Sequence, residues 1–414
     1  MRLRSGGLWR HPDFVRLWAG QTVSVFGSQI GDMAVQFTAL LWLGAGAAEL
    51  AILGVCQLVP GFAVGLVAGV WADRVRRRPL MIAADIGRFV ILATIPVAAV
   101  FDLLTIWQLY AVALAESTLA VFFDVSYEAY LPSLVKPENL TEGNAKLTAS
   151  NSVAEIGSFS ITGWLVQLLN GPAAVLIDSF SFLVSAFSLA RIRAPEPPPA
   201  PPEGRESFFA EAGAGVATVL RTPLLLWFAV VHVVIYAATR FVMVAFLIYL
   251  VNDIGFQPGV LGLIFGIGGA TSLVGAWAAS RFTWGGHLGA ALVVSLFIRA
   301  GGMLCMPLAV GTGWLGVAFL IANQLFTDPC ASFYEIHEVS IRQSITEEAF
   351  RGRVNATIRF AGFTAMLLGS VAGGLVAAQF GAREALFACF GMMLFAAVLA
   401  AFSPLRRFRN VAGA

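Results

Sequence analysis

Asp32, Glu116, Asp124 and Asp328 each stand inside a long apolar run of this 414-residue chain, and Arg240 and His232 stand in another. A charged side chain in hydrocarbon costs at least a few kcal/mol, so ionisable groups kept there face water or a partner. Their spacing groups them. Gln29, Asp32 and Gln36 share one helical face. Glu116 and Asp124 fall on neighbouring azimuths about 12 Å apart along a helix axis, with Tyr127 and Glu128 just beyond. His232, Tyr236 and Arg240 follow one another at steps of four, and Gln324, Asp328, Glu335 and Glu338 again share a face. A carboxylate in an apolar cavity holds its proton near neutral pH. The set leans acidic, which suits the passing of protons and the reception of a cationic or weakly basic ligand, while Arg240 offers a place for an anionic group. One proton moved across 100 mV releases about 2.3 kcal/mol. The expectation is that Asp32, Glu116 or Asp124 alternates between a proton and a second ligand. The plainer reading is a structural network in which Arg240 neutralises Asp328 and Arg299 neutralises Glu155. Asp85 and Arg88 read as a local ion pair near one end of their helix, and Asp178 as a structural residue near the outer end of its own.

The elements that must position these residues follow from composition. Hydrophobic residues make up 58% of the chain and charged residues 12%, and the mean hydropathy is +0.81. Soluble chains carry roughly twice that charged fraction, so lipid is the solvent for most of this one. The four cysteines, Cys56, Cys305, Cys330 and Cys389, fall inside apolar runs and read as small packing residues, with neither a disulfide nor a metal site implied. Lysine occurs only at Lys136 and Lys146, an arginine bias that suggests a GC-rich bacterial genome.

A spanning helix needs about 20 mostly apolar residues. Runs of that size occupy 14–43, 50–72, 79–101, 105–132, 144–169 and 172–192, and then 223–251, 258–282, 288–310, 313–339, 354–380 and 383–404. The prediction is an all-α membrane protein of about twelve transmembrane helices in two sets of six. The first run is too long for the apolar core of a cleaved leader and carries Gln29 and Asp32 at its centre, so it reads as an uncleaved span. Between the sets, the proline-rich stretch from Ala194 to Glu206 cannot continue a helix. The domains are therefore read as residues 1–192, a linker with a surface helix over 193–222, and residues 223–414.

Basic residues set the orientation. With both termini in the cytoplasm, the inner segments hold nearly every arginine and lysine, among them Arg74, Arg76, Arg77, Arg78, Arg351 and Arg353. The outer loops then hold only Arg383, alongside the acids Glu49, Asp102, Asp253 and Glu384. Neither lysine follows a glycine, so no phosphate-binding loop of the G-x-x-x-x-G-K-[ST] kind is present. His337-Glu338 opens like a zinc-protease helix, but Ile341 stands where its second histidine would be. The stripes recur on spans one, four, seven and ten, while the centres of spans two, eight, eleven and twelve are nearly bare of charge. That is the pattern of four three-helix units around one polar cavity.

The segment Gly69-Val-Trp-Ala-Asp73-Arg74-Val-Arg76-Arg77-Arg78 resembles the major facilitator signature G-x-x-x-D-R-x-G-R-R between spans two and three, with Arg76 in the place of the usual glycine. The second half keeps a degraded copy ending in Ser280-Arg281. The stretches 122–157 and 339–360, and "VLIDSFSFLVSA" in span six, are similar to the drug and siderophore exporter branch that includes macrolide-efflux and enterobactin-exporter proteins. The resemblance implies two pseudo-symmetric six-helix bundles. It also implies a gate in which Gly69, Asp73, Arg74 and Arg77 meet the start of span eleven near Arg353, the helix dipole there favouring the Asp73 carboxylate. Span five reads Gly157-Ser-Phe-Ser-Ile-Thr-Gly163, without the proline of the antiporter run G-P-x-x-G-G.

The resulting expectation is a non-enzymatic secondary transporter, proton-coupled, exporting a small amphipathic molecule from a bacterial inner membrane as a monomer. It is expected to have no cofactor, no metal and no nucleic-acid partner. Its substrate and proton cavity is expected from Gln29, Asp32, Gln36, Glu116, Asp124, Tyr127, His232, Tyr236, Arg240, Gln324 and Asp328. Trp18, Phe37, Trp42, Phe122, Phe123, Phe241, Phe326 and Tyr334 offer apolar contact. The rival readings are a lipid or lysophospholipid flippase, a substrate sensor without flux, and an integral-membrane enzyme. The enzyme reading lacks any matched nucleophile and base.

Overall fold

The computed structural model describes residues 7–64, 75–136, 139–196, 208–281 and 287–408. Gly69, Asp73 and Arg74 of the expected gate lie outside them, as does most of the proline-rich linker.

Among the described residues the chain is helical, without a strand. Six long helices come first: α1 (Pro12–Phe37), α2 (Ala47–Ala63), α3 (Arg77–Val100), α4 (Ile106–Leu134), α5 (Leu140–Leu169) and α6 (Gly171–Ala190). The shorter α7 (Phe208–Arg221) follows. Six more complete the series: α8 (Pro223–Ile248), α9 (Pro258–Arg281), α10 (Leu288–Leu308), α11 (Trp314–Ile345), α12 (Arg351–Phe380) and α13 (Ala382–Phe402). Nine of the described helices are long and apolar enough to cross a membrane. α1 and α11 stand outside that set because their polar stripes lower their hydropathy, and α2 because its described part is short.

Local chemistry sets the helix ends. Pro12 opens α1, and His11 Nδ1 accepts from the Phe14 N–H at 3.1 Å. Asn170 Oδ1 caps α6 by accepting from Ala173 N at 3.0 Å. Six connections turn on a residue with positive φ: Gly44, Asp102 and Asn170 in the first series, and Gly255, Gly311 and Gly381 at the matching connections of the second. α1 and α8, the first helix of each series, both run on into a π-helical turn, Thr38–Trp42 and Tyr249–Asp253. The turns thus preserve an internal repeat that side chains have largely lost.

The chain falls into two compact units. The first gathers Met1–Ala45, Cys56–Pro202 and Pro258–Gly262; the second gathers Gly46–Val55, Glu203–Gln257 and Leu263–Ala414. In the first, the opening turn of α9 seats on α5. Gly163 and Gly262 bring the two backbones together, Ser160 donates to the Gly262 carbonyl at 3.0 Å, and Gly259 N–H donates to Gln167 at 2.9 Å. In the second, α2 seats its own start on α12 through Gly374 against Ala51, and Ser370 donates to the Ala51 carbonyl at 3.2 Å. Close packing is also what Gly27 and Gly31 provide against α6, and Gly369 and Gly373 against α8.

α7 packs on α12, where Gly215 lies against the Arg353 carbonyl, and Val219, Leu225, Val354 and Ile358 form a small buried cluster. The described start of the linker is anchored as well, since Glu196 accepts from the backbone N–H groups of Arg77 and Arg78 at the start of α3. Arg77 Nη1 donates to the Ala129 carbonyl at 3.1 Å.

Candidate functional site

In the first unit, α3 carries an arginine midway along its length, three residues after Asp85 in a mostly apolar stretch. Arg88 is 7% exposed. Its Nε and Nη2 donate to Glu116 Oε1 on α4 at 2.8 and 2.5 Å, Nη2 reaches Ser28 Oγ on α1 at 3.4 Å, and the guanidinium lies 3.8 Å from the centre of the Phe182 ring on α6. This corrects the expectation of a local pair with Asp85 near the helix end. The cause is geometric, because Glu116 approaches from a neighbouring helix while Asp85 points toward α6 and Ser185. Asp85 is 0% exposed and neither of its oxygens has a hydrogen-bond partner.

Asp178 is 3% exposed and is packed against Gly27 and Gly31, where any side chain on α1 would collide with it. It also feels the charges of Arg88, Glu116 and Asp32, so it belongs to this cluster. Asp124 completes the group through Arg88, Glu116 and Glu128. Tyr127 stacks on Phe123 with ring centres 6.1 Å apart. Gln29 and Gln36 are half-buried on α1, and Asp32 is exposed in this structure.

In the second unit the rings of His232 and Tyr236 stack 3.9 Å apart on α8. They form one wall of a cavity of about 260 Å³ whose charged lining is Glu335, Glu338 and Arg342 on α11 and Arg359 on α12, with Tyr334, Phe363 and Met366 between. Arg342 Nη1 donates to Glu338 Oε1 at 2.9 Å, both side chains being buried. The Tyr334 hydroxyl and Arg342 Nε are buried without a partner. Two arginines balance two glutamates, so the lining is close to neutral overall, in contrast to the acid-rich first unit.

Arg240 is not among the residues lining this cavity, and Gln324 and Asp328 lie elsewhere, packed on Gly268 of α9. The charge that the structure places near Asp328 is Arg299 of α10, where the sequence pointed to Arg240. Arg299 is 6% exposed, with Nε and Nη1 unpartnered. Its expected partner Glu155 has a side chain outside the described residues.

Sequence reasoning passed over Arg342 and Arg359 as cavity walls, and it underrated Arg88 and Arg299 as centres. The signal was available. Arg88 and Arg299 stand at the same register from the starts of α3 and α10, which is improbable for arginines held by chance inside apolar helices.

The family model described as Major Facilitator Superfamily matches residues 17–334. The chain belongs to that superfamily. Membership makes it a multi-pass membrane transporter of small molecules, with about twelve transmembrane helices in two pseudo-symmetric six-helix bundles.

Among its relatives, the uncharacterized MFS-type transporter YfiS of Bacillus subtilis is 24% identical over 90% of this chain and 88% of its own. Macrolide efflux protein A of Streptococcus pyogenes is 27% identical over 44% of this chain and 45% of its own. Solved superfamily structures carry the same fold. A bacterial homologue of the iron transporter ferroportin in its inward-facing state has a TM-score of 0.72 at 16% identity, covering 94% of this chain and 98% of that one. A bacterial homologue of the human lysosomal transporter Spinster scores 0.71 at 12% identity, covering 96% and 97%.

Proposed function

We propose that this chain is a secondary active transporter that exports a small amphipathic molecule across a bacterial inner membrane by alternating access, with protons supplying the driving force. The observation that carries the reading is the charge placement in the two units. Ionisable side chains inside spanning helices are costly and mark the paths of ions and substrates. Here an acid-rich cluster around Arg88 occupies one unit, and a balanced cavity with aromatic walls occupies the other.

Stacked His232 and Tyr236 offer an apolar platform, while Arg342, Arg359, Glu335 and Glu338 offer contacts to either sign of charge. Such a lining suits a molecule with a flat or greasy body and polar ends. Asp32, Glu116 and Asp124 remain the candidate proton carriers, with Gln29, Gln36, Tyr127, Arg240, Gln324 and Asp328 as further cavity residues. Export is favoured over uptake by the similarity to macrolide efflux protein A. The domain division at residues 192–193 and 222–223, the monomeric state, the cytoplasmic placement of both termini and the gate of Gly69, Asp73, Arg74, Arg77 and Arg353 belong to the same proposal.

The test is flux into inverted membrane vesicles, using radiolabelled erythromycin and ethidium, with and without an imposed pH gradient. The proposal expects accumulation of at least one probe that collapses when the gradient is removed. Gradient-independent movement of a lysophospholipid in place of either probe would support the flippase reading instead.

A further inference from the structure

Arg88 is one guanidinium among four carboxyl groups. Glu116 is bonded to it, and Asp85, Asp178 and Asp124 lie within its electrostatic reach. One cation balances one of these acids. An isolated ionised carboxylate in an apolar interior is so costly that it takes up a proton instead. Asp85 fits that condition most closely: it is fully buried, and the donor nearest it is the uncharged Ser185 hydroxyl on α6, which stops short of a full hydrogen bond.

The second unit shows what the fold needs without such a device. Arg299 stands where Arg88 does, but Leu296 takes the register of Asp85 in α10, and Cys389 takes that of Asp178 in α13. A buried arginine in this position is therefore compatible with the fold without the two extra acids.

We propose that Asp85 and Glu116 are alternative partners of Arg88, with one proton residing on whichever of the two the guanidinium does not hold. In the state described, Glu116 is ionised and paired, and Asp85 is a neutral carboxylic acid. When Glu116 takes up a proton, its pairing is lost. Arg88 then turns to Asp85, one helical turn away on α3, and Asp85 releases its own proton. One proton enters and one leaves, and no unpaired charge is left in the interior. The ionisable groups that act on Asp85 are Arg88 on its own helix and Asp124 on α4; those that face Arg88 are Glu116 on α4 and Asp178 on α6, with Asp32 on α1 acting on Asp178. This deepens the proton-driven reading above and rests on it for its role in transport.

The experiment is infrared spectroscopy of the purified full chain in lipid at neutral pH, with aspartate carboxyls labelled with carbon-13 and with exchange into deuterium oxide. The wild type should show a protonated-carboxyl band that shifts with both the label and the exchange. Asp85→Asn should lose the part of that band that Asp85 contributes, leaving what Asp178 and Asp124 contribute. Glu116→Gln should lose the same part, because the freed Arg88 then ionises Asp85; a merely structural Glu116 would leave the band unmoved. Absence of a label-sensitive band in the wild type overturns the proposal without need of any variant. A band of undiminished wild-type intensity in folded Asp85→Asn or in Glu116→Gln also overturns it. The measurement needs neither substrate nor gradient, so a chain that holds this proton yet moves nothing in vesicles would refute the transport reading alone.

Discussion

Arg88 and Arg299 occupy the same register of equivalent helices in the two halves of the chain, both almost wholly buried, and Arg88 is ion-paired across helices, to Glu116. The same register has different surroundings in the two halves. The first half surrounds its arginine with acids, while the second sets Arg299 near Asp328 and builds a charge-balanced cavity farther along α11.

The Arg88–Glu116 pair should be costly to break and cheap to replace. In an Asp85→Asn background, where the alternative partner is gone, Glu116→Leu leaves a buried guanidinium unpaired and should lower stability by about 3–5 kcal/mol. The double variant Arg88→Met with Glu116→Leu should recover most of that loss. Thermal unfolding in detergent, arranged as a double-mutant cycle, measures both.

Helix packing around Asp178 makes a separate prediction. Gly31 faces the Asp178 side chain and Gly27 faces Ser181. Gly31→Leu should cost about 1–3 kcal/mol by overpacking the α1–α6 contact. Leucine at Gly301, beside which a side chain would meet open space, should cost much less.

Asp13, at the start of α1, lies outside the apolar span. Burial alone would raise its carboxyl, but the backbone N–H groups of Arg193 and Ala194 and the Arg16 side chain outweigh that and hold it below its ordinary value. A carboxyl lowered on folding stabilises above its unfolded pKa, and the gain is lost as pH falls through the folded value. Asp13→Asn should therefore reduce the melting temperature at neutral pH and make little difference in strong acid. A pH series of melting curves for the two proteins gives the comparison.

Tyr236 stacks on His232 in the cavity wall, and such a ring pair contributes about 0.5–1.5 kcal/mol. Tyr236→Ala should raise the KM for a transported aromatic probe several-fold while leaving expression intact. Initial rates of ethidium movement across a concentration series read the effect.

The fold was legible because lipid imposes a length and a polarity that one chain must satisfy twelve times. The spans end close to where the apolar runs do, and Pro223 and Pro258 open α8 and α9 as those runs predict. The candidate site was legible only in part. Helical spacing tells which residues share a face, so Glu335 and Glu338 are found together, but it does not say which neighbour that face meets. Gln324 and Asp328 share their stripe and yet pack on Gly268, on the far side of Pro329 within α11. The partner of Arg88 escaped for the same reason. Asp85 was the nearest acid in sequence, whereas Glu116 became the nearest donor-facing oxygen only once α3 and α4 had packed.

The most direct test of proton coupling through Arg88 compares gradient-driven accumulation with gradient-free exchange of the same labelled probe in inverted vesicles, for the wild type and for Glu116→Gln. The account predicts that the variant keeps exchange and loses driven accumulation, because substrate sites remain and the alternating partner is gone. Driven accumulation at the wild-type level in Glu116→Gln would contradict it.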